Sequence, residues 1–185
     1  LATEWGWDDD TTFRMKLREG VTFTDGEPYN AEAVKINLEN QMGGQALATL
    51  EEVEVVGDYE VLLHFSAFLP GLERVLSQQV GLVVSPAALA NPDILVEEPV
   101  GAGPYILDVE DTTSESTYVF TKNPDYWDAD NVNFDTMTFR VIDDAQSAFN
   151  ALQAGEVDMS WARYQNVDAA RGAGFEVFEG PGSVL

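Results

Sequence analysis

The sequence predicts a fold of the mixed α+β or α/β class, in which separate sheets and helices precede a C-terminal β-α-β-α-β unit. Two patterns carry this prediction. Apolar and basic side chains alternate through residues 12–18, which is the period of a half-buried strand. Beyond residue 136, short apolar stretches alternate with segments of helical spacing, an order that indicates parallel strands joined by right-handed crossovers.

Local signals in the first hundred residues predict the other elements. Asn30 is placed to cap a helix that ends at the glycine pair 43–44. Residues 52–65 hold two apolar stretches around a Gly-Asp pair and therefore predict a β-hairpin. Short helices are expected at residues 72–76 and 87–90.

The segment 101–104, Gly-Ala-Gly-Pro, joins this region to the next. It leads into a strand from Tyr105, and a second strand is expected at residues 118–121. Glycine on both sides of Ala102 permits a backbone that passes close to a bulky group. We therefore interpret the segment either as a backbone that faces a ligand or as a tight entry to the strand.

The C-terminal unit is predicted from alternation and helical spacing. Its strands are expected at residues 137–141, 157–161 and 175–178. Between them, one helix begins at an Asp-Asp pair and ends before Gly155, and a second is capped by Asn166. Ligands bind beyond the carboxyl ends of parallel strands, and the indole of Trp161 at such an end is suited either to wall a cleft or to pack at the sheet edge.

Composition narrows the classes of partner. The chain of 185 residues holds 33 Asp and Glu against 9 Lys and Arg, a net charge of −24, which repels nucleic acid and anionic membranes. We interpret the acidity as a solubilising surface, with cation capture or a salt-rich habitat as the alternatives. The sequence has no cysteine, so thiol chemistry and disulfides are excluded.

Enzyme and metal signatures are missing from the sequence. It contains no Gly-x-Ser-x-Gly elbow, no Walker loop and no HExxH motif. The segment from Asp128 begins like a calcium loop but has Asn133 where the glycine is required, so no metal site is predicted. No catalytic residues and no cofactor are predicted, although a pair of carboxylates acting as a glycosidase stays open as an alternative.

Four motifs together resemble one family. They are REGVTFTDGEPYNAEAV at residues 18–34, VGAGPYIL at 100–107, KNPDYWDADNVNFDTMTFRVIDD at 122–144 and ALQAGEVDMSW at 151–161. In this order they resemble the extracytoplasmic solute-binding proteins of peptide ABC importers, which include oligopeptide-, dipeptide- and nickel-binding proteins. The resemblance spans nearly the whole chain.

The resemblance implies a periplasmic-binding-protein-like fold of two lobes that close on a ligand. It implies that this chain is a fragment of lobe I, with residues 1–99 as an accessory subdomain, residues 100–185 as the ligand-facing main part, and the second lobe outside it. Relatives often carry threonine at the position of Ala102, so no hydroxyl contact is expected there. Together with the strand ends, the resemblance gives these candidate ligand-binding residues: Gln79, Val80, Gly101, Ala102, Gly103, Ser160 and Trp161.

The expected function is therefore that of a substrate-binding component of an ABC importer and not that of an enzyme. The resemblance implies a small solute, an oligopeptide or dipeptide, that is delivered to a membrane permease. It implies an extracytoplasmic monomer, periplasmic or lipid-anchored, that binds no nucleic acid. The alternatives are the carboxylate-based carbohydrate-active enzyme and a surface interaction module that kept the fold without transport.

Overall fold

The structure, a computed structural model, describes residues 1–161 and 166–178. The chain divides into two compact units, one of residues 1–112 with 118–138 and one of residues 113–117 with 139–185. The predicted assignment of residues 1–99 and 100–185 to subdomains of one lobe stays a prediction. Within the described residues, no helix has the length and apolar character needed to cross a bilayer.

The first unit is built on a four-stranded antiparallel sheet. Its strands are β1 (Ala2–Trp7), β2 (Thr12–Leu17), β3 (Leu50–Gly57) and β4 (Glu60–Phe65), in the order β1-β2-β4-β3. The alternation of residues 12–18 and the predicted hairpin are thereby confirmed. Strand β1 was not predicted, because its apolar residues follow no clean period of two.

The polar face of β2 is neutralised by its neighbours in the sheet. Arg14 forms ion pairs with Asp8 and Glu60, and Lys16 pairs with Glu4 at 2.6 Å. The hydrogen bond from Lys16 lowers the pKa of the Glu4 carboxyl. The basic side chains of β2 therefore form ion pairs with acidic side chains of the two neighbouring strands.

Helix α1 (Ala31–Asn40) covers the apolar face of this sheet. The side chain of Asn30 accepts a hydrogen bond from the backbone N–H of Ala33 at 2.9 Å, which confirms the predicted cap. The residues that form the resulting core are buried: Phe13, Met15, Leu17, Val21, Phe23, Tyr29, Ala31, Ala33, Val34, Leu38, Leu47, Leu50, Val53, Val61, Leu63, Phe65, Leu72, Ala88 and Val100.

Tyr29 makes the stability of this core sensitive to high pH. Burial raises the pKa of its phenol to about 12, whereas in the unfolded chain the phenol ionises near pH 10. As the pH rises through this interval, the unfolded state loses a proton that the folded state keeps. We therefore expect the free energy of unfolding to fall by about 2–3 kcal/mol between pH 10 and 12. Denaturant titrations should show this loss in the parent chain and not in Tyr29→Phe; parallel pH curves for the two proteins would contradict it.

Three short helices follow the hairpin. They are α2 (Leu72–Leu76), α3 (Pro86–Leu89) and α4 (Pro92–Glu97). The first two confirm the predicted helices. Helix α4 was missed because Pro92 was interpreted as a break, whereas proline at the first helical position is compatible with a helix start.

A second sheet contains three strands in the order β5-β6-β7. They are β5 (Tyr105–Thr113), β6 (Thr117–Lys122) and β7 (Thr136–Arg140), and each confirms a predicted strand. The strand that begins at Tyr105 follows directly from the Gly-Ala-Gly-Pro segment, as expected.

The second unit contains helices α5 (Ala145–Gln153) and α6 (Val167–Gly172). The Asp144 side chain caps α5 by accepting from the backbone N–H of Ser147, and this contact lowers the pKa of Asp144. Gly155 after α5 has a φ of +71°, which confirms its predicted role in ending the helix. The Asn166 side chain makes no cap to α6 and donates instead to the carbonyl of Ala145 at 3.1 Å.

Two predicted strands of the C-terminal unit are absent from the structure. Residues 157–161 and 175–178 are irregular, so the described part of the chain shows the two helices of the β-α-β-α-β unit without its second and third strands. A strand is stabilised by hydrogen bonds to a neighbour, and no described strand pairs with either segment. The mixed α and β fold class is confirmed, and this part of the prediction is corrected.

Candidate functional site

The segment of residues 101–103 is fixed through its carbonyl groups. The Gly101 carbonyl accepts a hydrogen bond from the backbone N–H of Thr24 at 2.9 Å. The Gly103 carbonyl accepts from the side-chain amide of Asn123 at 2.9 Å, and the next carbonyl, of Pro104, accepts from the backbone N–H of Asn123. The segment is therefore held from two other parts of the first unit.

The backbone N–H groups of the same three residues remain available. Within the described chain, no acceptor lies in hydrogen-bond range of the N–H of Gly101, Ala102 or Gly103. All three residues are half-buried, and Ala102 packs its methyl group against the core. N–H groups of half-buried residues can donate to a ligand or to water. The segment is thus suited to receive a carbonyl or carboxylate oxygen.

Gln79 and Val80 lie in a 3₁₀ turn, Gln79–Gly81, of the first unit. Gln79 is exposed, whereas Val80 is half-buried and packs against the core. A Cβ atom at Gly81 would lie 1.9 Å from the carbonyl oxygen of Leu76, so only glycine fits the close approach that forms this turn. The position of Gln79 therefore depends on the glycine two residues after it.

The chain after this turn is tied to helix α1 by one buried amide. Asn37 donates from Nδ2 to the Val84 carbonyl at 2.8 Å and accepts at Oδ1 from the Val84 N–H at 3.0 Å. The backbone N–H of the next residue, Ser85, donates to the carbonyl of Val100 at 3.1 Å. A chain of hydrogen bonds thus runs from α1 to the residue that precedes Gly101.

Ser160 and Trp161 lie in the irregular segment of the second unit. Both are exposed, and Trp161 is exposed over 98% of its surface. No strand ends at Trp161, so the strand-end argument for this residue does not hold, and among the described residues nothing covers the indole. An indole so exposed is free to contact a ligand.

The candidate residues carry no ionisable group, which limits what they can do chemically. Backbone N–H groups, an amide, a hydroxyl and an indole can bind and orient a ligand, but they provide no general acid or base. Among residues 1–161 and 166–178, no group of three His, Asp or Glu side chains could hold a metal ion. His64 lies 2.8 Å from Glu54 on the surface of the first sheet.

Sequence reasoning missed the residues that position these segments. Asn123 and Asn37 are both buried, and both bind backbone groups far from them in sequence. Asn37 had a signal, because an amide on the buried face of an amphipathic helix needs a partner. Asn123 lies in the sequence Asn-Pro-Asp-Tyr-Trp, whose composition is typical of an ordinary turn.

Comparisons with known proteins identify relatives of this chain. A family model described as bacterial extracellular solute-binding proteins, family 5 Middle, matches residues 1–184. The glutathione-binding protein GsiB of Escherichia coli O1:K1 / APEC is 32% identical over 167 residues, which are 83% of this chain and 31% of that protein. The nickel-binding periplasmic protein of Escherichia coli strain K12 is 28% identical over 170 residues, 86% of this chain and 32% of that protein.

A solved structure agrees at the level of the fold. An ABC transporter substrate-binding protein from Sinorhizobium meliloti superimposes with a TM-score of 0.74 and 34% identity, over 85% of this chain and 33% of that one. The chain thus spans about a third of the length of the relatives it matches. These relatives are binding proteins of transporters and not enzymes. The chain belongs to the bacterial extracellular solute-binding proteins of family 5.

Proposed function

We propose that the protein containing this chain is the substrate-binding component of an ABC importer that captures an oligopeptide or dipeptide. It delivers this solute to a membrane permease. It acts outside the cytoplasm as a monomer, periplasmic or lipid-anchored, and it closes by bringing a second lobe onto the lobe that this chain provides. In this proposal residues 1–99 are the accessory subdomain and residues 100–185 the ligand-facing part.

The observation that carries the proposal is the row of unpaired N–H groups at residues 101–103. Peptides present carbonyl and carboxylate oxygens, and three successive donors on a fixed backbone match such acceptors without adding positive charge to a strongly acidic protein. The name of one relative, a glutathione-binding protein, supports a small peptide as the solute, whereas another relative is named for nickel.

The other candidate residues add contacts of lower specificity. Gln79 is exposed and offers an amide. Val80, the next residue, and Ala102, in the segment 101–103, contribute apolar surface. Ser160 and Trp161 offer a hydroxyl and an uncovered indole. The candidate residues do not favour the carbohydrate-active enzyme, because none of them carries a carboxylate that could act as an acid or base.

The test uses the full-length protein, with glutathione and a set of dipeptides as probes in calorimetry. Trp161→Ala should weaken binding of the tightest probe about ten-fold, because a large aromatic contact is lost. Trp5→Ala, which removes an exposed indole from β1, is the matched control and should leave affinity unchanged. Equal affinity of the parent and Trp161→Ala would remove Trp161 from the site, and failure of every peptide probe would overturn the proposed solute class.

A further inference from the structure

An open groove lies in the first unit, and Pro104, the residue after the segment 101–103, is one of its lining residues. Its volume is about 330 Å³, at the lower end of the range for small-molecule sites. The loop that follows β6 forms most of it and places two aromatic rings, Tyr126 and Phe134, along its lining, and Tyr105 of β5 adds a third. Phe134 is 69% exposed, although an aromatic side chain of this size is usually covered.

The polar groups of this groove present mainly acceptors. Asn131 donates from Nδ2 to Oδ1 of Asp128 at 2.7 Å, and Asn133 directs its Nδ2 to the Asn131 carbonyl at 3.4 Å. The Tyr105 hydroxyl donates to the carbonyl of Phe134 at 3.1 Å. In these contacts the two amides and the Tyr105 hydroxyl act as donors. The second carboxylate oxygen of Asp128, the amide oxygens and the phenol lone pairs therefore remain available to accept hydrogen bonds from a ligand.

The electrostatic setting favours a positive ligand. Residues 125–135 contain four aspartates and no basic residue. The cation nearest in sequence, Lys122, is bound to the Val132 carbonyl at 3.0 Å, and the guanidinium of Arg18 lies 3.7 Å from the ring centroid of Trp127. Neither cation is part of the lining. The faces of aromatic rings carry negative charge density, so rings and a carboxylate together attract a cation that also has apolar surface.

We propose that this groove binds a small organic cation of the quaternary-ammonium class. Its methyl groups contact the rings of Tyr126 and Phe134, and its charge is compensated by Asp128. A metal ion does not fit the same chemistry, because Asp128 is the one carboxylate among the lining residues and the described residues include no group of three His, Asp or Glu side chains that could hold a metal. An anion is excluded by Asp128 and by the field of the whole protein.

The test is ligand-observed saturation-transfer NMR on the full-length protein at low salt, with choline chloride as the probe. Dimethylbutanol of the same shape, in which carbon replaces the charged nitrogen, is the uncharged control. Choline should show saturation transfer and dimethylbutanol should not. Asp128→Asn and Phe134→Leu should each weaken choline binding about five-fold, since one removes the charge and the other keeps apolar volume but removes the ring.

Trp161→Ala separates this site from the proposed peptide site, because it should leave choline binding unchanged. The proposal is overturned if choline gives no transfer, if dimethylbutanol binds equally well, or if both groove variants bind choline like the parent. It is also overturned if Trp161→Ala abolishes the choline signal, since the cation would then occupy the peptide site. Circular dichroism of the two variants should match the parent, because both substituted side chains lie on the surface.

Discussion

Asn123→Leu is expected to lower the free energy of unfolding by about 2–4 kcal/mol and to release the segment of residues 101–103. Leucine has the same number of side-chain heavy atoms in the same branched arrangement, so the substitution removes hydrogen bonds without leaving a cavity. The Gly103 carbonyl loses its donor at 2.9 Å, and the backbone N–H of Asp125 loses the Asn123 Oδ1 acceptor at 3.0 Å. Asn123 is only 4% exposed, whereas Gly103 is half-buried and Asp125 is exposed, so each lost hydrogen bond costs about 1–2 kcal/mol.

Asn123→Asp discriminates between loss of polarity and loss of the donor. It keeps an acceptor for the Asp125 N–H but places a carboxylate oxygen against the Gly103 carbonyl, so it should destabilise at least as much as leucine does. Urea denaturation measures the effect, and peptide affinity of the full-length protein should fall with it. A change within about 0.5 kcal/mol for both variants would show that Asn123 does not hold the segment.

Elements with a complete local signal were predicted well. The cap of α1 by Asn30, the cap of α5 by Asp144 and the end of α5 at Gly155 depend on groups within a few residues of each other. The hairpin of β3 and β4 likewise depends on its own turn. In these places the interaction that fixes the backbone is visible in a short stretch of sequence.

Predictions failed where the deciding interaction is distant. Residues 157–161 alternate like a strand, but a strand forms only where a neighbour supplies hydrogen bonds, and the sequence does not show whether one is present. The Asn166 side chain could have capped α6 locally, but it donates instead to the Ala145 carbonyl, 21 residues away.

The candidate site also contains residues that the sequence predicted and supporting residues that it did not. Residues 101–103 were predicted from glycine, which reports backbone freedom, and the resemblance added the turn at residues 79–80. The groups that fix these segments are carbonyls and amides of other elements, and no spacing rule connects Asn123 with Gly103 or Asn37 with Val84. The ligand-binding residues stay predictions, whereas the contacts that support them are structural findings.

Asn37→Leu is expected to destabilise the protein by about 2–5 kcal/mol, because it cuts the link between α1 and the chain beside the Gln79 turn. Asn37 is 6% exposed and makes two contacts to Val84, one to its carbonyl and one to its N–H. Leucine has the same branched shape as asparagine and favours the helix, so the expected loss comes from the two backbone groups of the half-buried Val84 that lose their partners.

The matched control is Asn40→Leu, which makes the same exchange on an exposed position of the same helix and should change stability by less than about 0.5 kcal/mol. Hydrogen exchange adds a local readout: the Val84 N–H should lose protection in Asn37→Leu while the amides of β4 keep theirs. Because Ser85 is bonded to Val100, the release of Val84 should also reach the residue before Gly101 and weaken peptide binding. Unchanged stability of Asn37→Leu, or unchanged protection of Val84, would show that the two halves of the candidate site are held independently of α1.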